Sequence, residues 1–299
     1  MTSIKLVCLP RVAMTPEEFC EKTPPYSLAL DGMVSGPPAY YPEGHRWNFD
    51  HHHGVDRAST LSTAEQIYRN IKLGLFKVLN GHEVSVYFDD CDPDIILSVY
   101  LLRNHKNYEG TKGSLRMARL VRVVGVLDAT SGMYPLKPNS RLRQSSAWIF
   151  QDYTEARSAG VIDNLSAEGM IKIIDQCCDK IDLYLSNKGQ RIKLDTHYKI
   201  LKTGTGWSMV REIGFYAREK LIAQGINALV SARRGKHGEW RYSFCKAASF
   251  VNLPIERLFL RLNAEEGISQ ECMDRWNGAN LTGGSPRKAG SKIYPAKLF

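Results

Sequence analysis

Residues 83–105 read EVSVYFDDCDPDIILSVYLLRNH. The first six residues are rich in β-branched and aromatic side chains and read as a strand. DIILSVYLLRNH, residues 94–105, reads as a helix. Asp89, Asp90, Asp92 and Asp94 crowd the turn between them. A buried strand, an acidic turn and a helix in succession predict an α/β unit, and the flanking sequence repeats the alternation. IKLVCL (4–9) and YSLALDG (26–32) read as short buried strands. TLSTAEQIYRNIKLGLFKVLNG (60–81) reads as an amphipathic helix that opens at Ser/Thr and closes at Gly81. SLRMARLVR (114–122) reads as a helix and VVGVLD (123–128) as another strand. The fold class expected is therefore α/β, a mainly parallel sheet flanked by helices.

Functional residues in such sheets gather beyond the carboxyl ends of the strands. Asp31 ends one expected strand, Asp89–Asp94 follow a second, and Asp128 ends a third. Carboxylates held together raise one another's pKa, and a cation is the usual remedy. Asp90, Asp92 and Asp94 alternate, so in a turn they could wrap a cation. A calcium loop is excluded because its glycine and terminal glutamate are missing. The alternative is a solvated turn whose carboxylates cap the following helix. FDHHHG (49–54) adds Asp50, His51, His52 and His53 on a Gly/Pro/aromatic loop, MVSGPPAYYPEGHRWNFDHHHG (33–54). Oxygen ligands with one or two imidazoles favour Mn²⁺ or Mg²⁺ over a structural zinc. The alternative here is a histidine run on a polar surface loop.

Composition bounds the rest. The chain has 299 residues, 43% hydrophobic and 24% charged, which suits one large or two ordinary globular domains. No apolar run reaches the ~18–20 residues needed to span a bilayer, and the N-terminus has no signal-like apolar core. A cytoplasmic, non-membrane protein is expected. Seven cysteines, an odd number without a CxxC pair, argue for buried thiols rather than a disulfide framework. The net charge is +9. Residues 201–299 hold 16 Lys and Arg against 8 Asp and Glu, a net +8. Such a basic third suggests a polyanionic ligand, nucleotide or nucleic acid, with a merely basic surface as the alternative.

Residues 140–200 read as largely helical, with SAEGMIKIIDQCCDKIDLYLSNKG (166–189) the clearest segment. KTGTGW (202–207) reads as a linker into a second domain. After it come a helix (209–224), a strand NALVSA (227–232), a basic turn RRGKHG (233–238), a strand WRYSFCK (240–246) and a helix IERLFLRLNAE (255–265). The expected domains are 1–200 and 201–299. In TGGSPRKAG (282–290), Gly283, Gly284 and Ser285 precede Arg287 and Lys288. Glycine amides beside basic side chains suit an anion cradle, and a flexible basic tail is the alternative. Trp207, Trp240, Tyr242 and Trp276 could stack bases or simply fill a core.

Taken together these motifs resemble the DHH phosphoesterase family. FDHHHG resembles its Asp-His-His motif, and STAEQIY (62–68) resembles the helix start that follows it. DDCDPDIILSVYLL resembles the D-x-D-x-D-G-x-x-S motif of the RecJ-like branch, with Ser98 in the helix. GVLDATSGMYP resembles the motif that gives Asp128, and SLALDG resembles the strand that ends in a bridging aspartate, Asp31. WRYSFCKAA…TGGSPRKAG resembles the DHH-associated C-terminal domain. The sequence departs in three places. Asp31 and the Asp-His-His motif precede the D-x-D-x-D motif, whereas the family usually has D-x-D first, then the bridging aspartate, then DHH. Ser285 stands where the glycine motif has histidine. Arg241 precedes the hairpin serine instead of following it.

The resemblance implies two Mn²⁺ ions, ~3.5–4 Å apart as in other two-metal hydrolases, with Mg²⁺ as the other option. Asp90 and Asp92 would hold one ion. Asp94, His51 and Asp128 would hold the other, and Asp31 would bridge. Asp50 would orient a ligand and His52 would bind the scissile phosphate. Arg241, Gly283, Gly284, Ser285, Arg287 and Lys288 would bind substrate from the C-terminal domain, with the active site in the interdomain cleft. The implied activity is manganese-dependent hydrolysis of nucleotide phosphodiesters, with short oligonucleotides or single-stranded nucleic-acid ends as substrate. The alternative is a non-catalytic nucleotide- or nucleic-acid-binding protein on the same scaffold. The oligomeric state stays open, a dimer included.

Overall fold

The computed structural model describes residues 2–235 and 238–298. The chain is α/β, with two multi-stranded sheets. It divides into two compact units, each with its own sheet. Residues 1–55, 59–129 and 139–193 form the first, and residues 56–58, 130–138 and 194–299 the second.

In the first unit the elements run β1 (Ser3–Cys8), α1 (Pro16–Lys22), β2 (Ser27–Leu30), β3 (Ala39–Tyr41), β4 (Arg46–Phe49), α2 (Thr63–Leu73), α3 (Leu75–Val78), β5 (Glu83–Phe88), α4 (Pro93–Arg103), α5 (Leu115–Ala129), α6 (Arg141–Ile149), α7 (Gln151–Ser158) and α8 (Ala167–Leu185). The strand order is β1-β5-β2-β4-β3. The pairs β1–β5, β5–β2 and β2–β4 are parallel, while β3 lies antiparallel on β4. Alternation sorts the side chains to two faces. Leu28, Leu30, Val84, Val86 and Phe88 enter one core with residues of α2, α4, α5 and α8. Ala29 and Tyr87 point the other way, onto Phe19, Met33 and Val34. Helix α4 has no polar face, and every residue from Asp94 to Leu102 is buried. It packs against α2, α5 and α8. Each fully buried Ile, Leu or Val there contributes ~1.5–3 kcal/mol.

Three local expectations are corrected. VVGVLD is not a strand but the end of α5, a continuous 15-residue helix. Its buried Met117, Leu120, Val121 and Val124 recur at helical spacing, so packing overrides the β preference of valine. The loop 33–54 contains two strands, β3 and β4. The helix expected to end at Gly81 instead breaks at Gly74, whose φ of +100° ends α2 in a left-handed cap before the short α3.

In the second unit the elements are β6 (Tyr198–Gly204), β7 (Trp207–Glu212), α9 (Ala217–Ala223), β8 (Ala228–Arg234), β9 (Trp240–Lys246), α10 (Ile255–Glu265), β10 (Asn277–Gly278), β11 (Thr282–Gly284) and α11 (Pro295–Leu298), with the sheet ordered β10-β11-β9-β8-β7-β6. Among the described residues of this unit only β7–β8 pair parallel. KTGTGW is therefore no linker. It joins β6 to β7, with Gly204 opposite Trp207 and Gly206 (φ +78°) in the two-residue turn. The helix expected over 209–224 is confined to α9, because its first residues belong to β7. The basic turn 233–238 includes two residues, 236 and 237, that lie outside the described residues. Tyr242, Phe244, Phe259 and Trp276 fill the core on one sheet face. Val210, Leu229 and Cys245 pack with Leu221 on the other. Among the described residues, no helix is long and apolar enough to cross a membrane. All seven cysteines are free, five of them buried.

Candidate metal centre

Strands β5, β2 and β4 are neighbours, and the carboxyl end of each leads into acidic residues. Asp31 follows β2 with φ +50°, in the left-handed region. Aspartate tolerates that region better than most residues, and the Asp31 N–H donates to Phe49 O at 2.9 Å. Asp50, His51 and His52 follow β4. Asp89, Asp90, Asp92 and Asp94 follow β5. Asp128 arrives from the last turn of α5.

These pieces close into a cluster. One donor atom each from Asp31, His51, His52 and Asp128 lie within 4.8 Å of one another. His51 is fully buried, and its Nε2 is 2.6 Å from Asp128 Oδ2, 3.3 Å from Asp31 Oδ1 and 4.0 Å from Asp94 Oδ2. His52 Nε2 is 3.0 Å from Asp31 Oδ1, and its side chain is 28% exposed, so it is the cluster's solvent-facing imidazole.

The surrounding residues hold this geometry. Asp50 is buried and stays outside the cluster. Its Oδ1 accepts from the His52 N–H, and its Oδ2 accepts from the His53 N–H and faces His53 Nδ1 at 3.1 Å. It thus fixes the backbone that carries the histidines. Ser62 opens α2 with a capping box, its hydroxyl accepting from the Glu65 N–H. The same hydroxyl donates to Asp94 Oδ1, which also accepts from the Ala64 N–H at the start of α2. The Thr63 hydroxyl donates to Asp31 Oδ1 at 2.9 Å, with Phe49 O also in reach at 3.1 Å. Asp92 caps α4 through the N–H groups of Asp94 and Ile95. Asp90 accepts from the Cys91 N–H and lies 3.8 Å from Arg157. Asp90 and Asp92 thus sit beside the cluster, engaged in local caps and an ion pair, and are not among its four converging residues.

The electrostatics show a site short of positive charge. Burial pushes Asp94 up to about 7, and the nearby Asp31 and Asp128 add to it. Burial likewise lifts Asp89 to about 7, helped by Asp90 and Asp31. Asp92 is raised by burial and then by Asp31 and Asp128. Asp31 goes the other way. Burial would raise it, but His52 and His51 outweigh burial and hold it well below the usual carboxylate range. Burial pushes His51 down, yet Asp128 and Asp31 beside it win and raise it to about 11.

A divalent cation fits these residues. Both ring nitrogens of His51 and Asp94 Oδ2 are buried without a hydrogen-bond partner. Nε2 faces Asp128 Oδ2 at 2.6 Å and Asp31 Oδ1 at 3.3 Å. Buried polar atoms seldom stay unpaired. A ring nitrogen facing two carboxylates at short range is the arrangement a metal ion satisfies, and mixed imidazole and carboxylate donors suit several divalent metals. Ser62 and Thr63 were legible only as a helix start, and Asp89 only as one of four acidic turn residues.

The residues expected to hold substrate lie in the second unit and are placed differently from a free cradle. Gly283 and Gly284 form β11, paired on both edges by β10 and β9. A side chain at Gly283 would stand 2.7 Å from Asn277 O, so backbone packing accounts for the glycine. Ser285 is buried, and its hydroxyl accepts from the Tyr242 N–H. Arg241 donates to Glu239 Oε1 and to the Arg287 carbonyl. Arg287 and Lys288 are exposed. Amides that do bind an anion here are those of Lys288 and Ala289, and they hold the Asp274 carboxylate at 3.0 and 2.8 Å. Trp276 and Tyr242 are buried in the core, and Trp207 and Trp240 pack against it, so these four rings form no open stacking platform.

No family model matches this sequence, and no curated protein matches it significantly.

Proposed function

We propose that the chain is a manganese-dependent phosphodiester hydrolase of the DHH type. Its substrates would be nucleotides, in particular short oligonucleotides or single-stranded nucleic-acid ends. The observation that carries this reading is the convergence of Asp31, His51, His52 and Asp128 beside the half-buried Asp92 and the buried Asp94. Divalent ions bound there, two in this reading, would supply a water of lowered pKa and offset charge developing on phosphoryl oxygens. Asp31, His51, Asp128 and Asp94 would hold the metal, and Asp90 and Asp92 would hold a second ion. His52, the partly exposed imidazole, would meet the phosphate and can pass a proton toward the departing oxygen. Asp50 keeps the histidine backbone in place, and Thr63 keeps Asp31 oriented. The net +8 of residues 201–299 favours an anionic substrate.

The experiment is metal analysis of the purified protein, followed by turnover of a labelled dinucleotide with Mn²⁺. Bound Mn²⁺ and cleavage that disappears in chelator and in Asp128→Ala are expected. If the protein takes up no Mn²⁺, and Asp92→Ala leaves all turnover intact, the reading is wrong. The second reading, a nucleotide binder without turnover, is favoured by Ser285. That residue stands where the resemblance has histidine, and its hydroxyl is already engaged by Tyr242. Tight dinucleotide binding without product in the same assay would establish it.

A further inference from the structure

Far from the acidic cluster, the first unit carries a cavity of about 380 Å³ lined by Arg116, Arg119, Arg141 and Arg191, with Tyr184 and Asn187. The arginines come from different places in the chain. Arg116 and Arg119 lie on the first turns of α5, Arg141 opens α6, and Arg191 follows α8. Asp128 ends the same α5, twelve residues from Arg116, so the two sites stand ~18 Å apart along the helix axis. The lining contains no acidic residue. Arg116 is pinned, donating to the Tyr184 carbonyl at 2.6 Å with its guanidinium 5.4 Å from the Tyr184 ring centre. Arg119, Arg141 and Arg191 make no ion pair with an acidic side chain among the described residues. Four guanidinium groups around one cavity repel one another, and arginine cannot relieve this by losing its proton. An anion can.

We propose that this cavity binds a compact polyphosphate, either free or as the phosphate chain of a nucleotide. Guanidinium forks match phosphate oxygens in pairs, and four of them exceed the needs of one phosphate. The arginines surround a single concavity instead of lining a track, which favours a compact ligand over an extended strand. The cavity volume falls within the range of small-ligand sites. Tyr184, half-buried at the rim, offers a ring edge to a base if one is attached.

The test uses the full chain in EDTA, so that the acidic cluster cannot recruit phosphate through metal. Tripolyphosphate, ATP, AMP and an eight-nucleotide single strand are titrated calorimetrically at low salt. Tripolyphosphate should bind, AMP at least tenfold more weakly, and binding should weaken as salt rises. The double substitution Arg119→Gln with Arg141→Gln should reduce tripolyphosphate affinity at least tenfold. Both side chains are exposed, and an unchanged melting curve would show the fold intact. Asp128→Asn should leave the affinity unchanged, which separates this site from the proposed metal centre. ATP binding tenfold tighter than tripolyphosphate would identify a nucleotide, and equal binding a free polyphosphate. The proposal is overturned if tripolyphosphate does not bind, if the double variant binds within twofold of the parent, or if only the single strand binds.

Discussion

Cation binding by this chain should tighten steeply with pH. His51 has to give up a proton before a ring nitrogen can act as a donor. Burial alone would make that easy, but Asp128 and Asp31 hold the proton on the ring up to about 11. Entry of an ion therefore displaces one proton at any pH below that value. Asp94, raised to about 7 by burial and by Asp31 and Asp128, adds up to a second proton below neutrality. One displaced proton changes apparent affinity about tenfold per pH unit, ~1.4 kcal/mol. Between pH 6.5 and 8.5 His51 alone gives ~100-fold, and the dependence should be steeper below pH 7 than above it. The metal-free protein should behave oppositely. The folded chain binds more protons than the unfolded chain between the ordinary carboxyl value and about 7 through Asp94 and Asp89. It does so again from 6.5 to about 11 through His51. Stability without metal therefore falls as pH rises across both windows. Mn²⁺ calorimetry at pH 6.5, 7.5 and 8.5, each in two buffers of different ionisation heat, counts the protons directly. A dissociation constant that moves less than threefold over this range, with no proton release, would refute the assignment of His51 as a ligand.

Four further outcomes follow from single positions. Asp128→Asn should weaken Mn²⁺ binding by more than the ~10–100-fold typical of losing an outer partner, read by equilibrium dialysis. Thr63→Val removes the hydroxyl that holds Asp31; metal affinity should fall within that ~10–100-fold range, and denaturant unfolding should show a loss of ~1 kcal/mol. Gly283→Ala should cost ~1–3 kcal/mol of stability, because its new carbon would meet Phe259 and Asn277 O. Lys288→Ala, on an exposed side chain, should stay within ~0.5 kcal/mol in the same denaturation assay.

What the sequence made legible was set by length and local chemistry. The strand–turn–helix at 83–105 was readable because a six-residue stretch rich in valine and aromatics, a proline and a long apolar helix agree in one place. β3 and β4 were not, since three or four residues give too few positions to show a period of two. Asp128 was found for the wrong local reason. Its valines suggest a strand, yet α5 runs through them and tolerates Gly125 because α2 approaches there. A side chain at Gly125 would stand 2.5 Å from Glu65 Cδ. In the second unit, the glycines of 282–284 look like an anion loop in isolation. Their partners β9 and β10 are distant or very short in sequence, so the strand is invisible until the sheet forms.

The order of the acidic and histidine segments across the sheet bears on the proposed site. Along the chain the order is Asp31, then Asp-His-His, then the D-x-D-x-D turn, whereas the resembling family runs D-x-D, bridging aspartate, DHH. Across the sheet the order is β5, β2, β4. Read in that direction, the carboxyl ends carry the D-x-D-x-D turn, then Asp31, then Asp50–His52. Space thus holds the order that the chain does not. Parallel strands make this possible, because a site built at their carboxyl ends depends on which strands are neighbours and not on which is connected to which. Moving β5 behind β4 in sequence changes the crossovers and leaves the donors side by side. Only Asp128, delivered by a helix, depends on packing against the sheet instead of pairing within it. Among the donors of the cluster, Asp128 is therefore the one whose position should respond most to substitutions in the α2–α5 contact at Gly125 and Glu65.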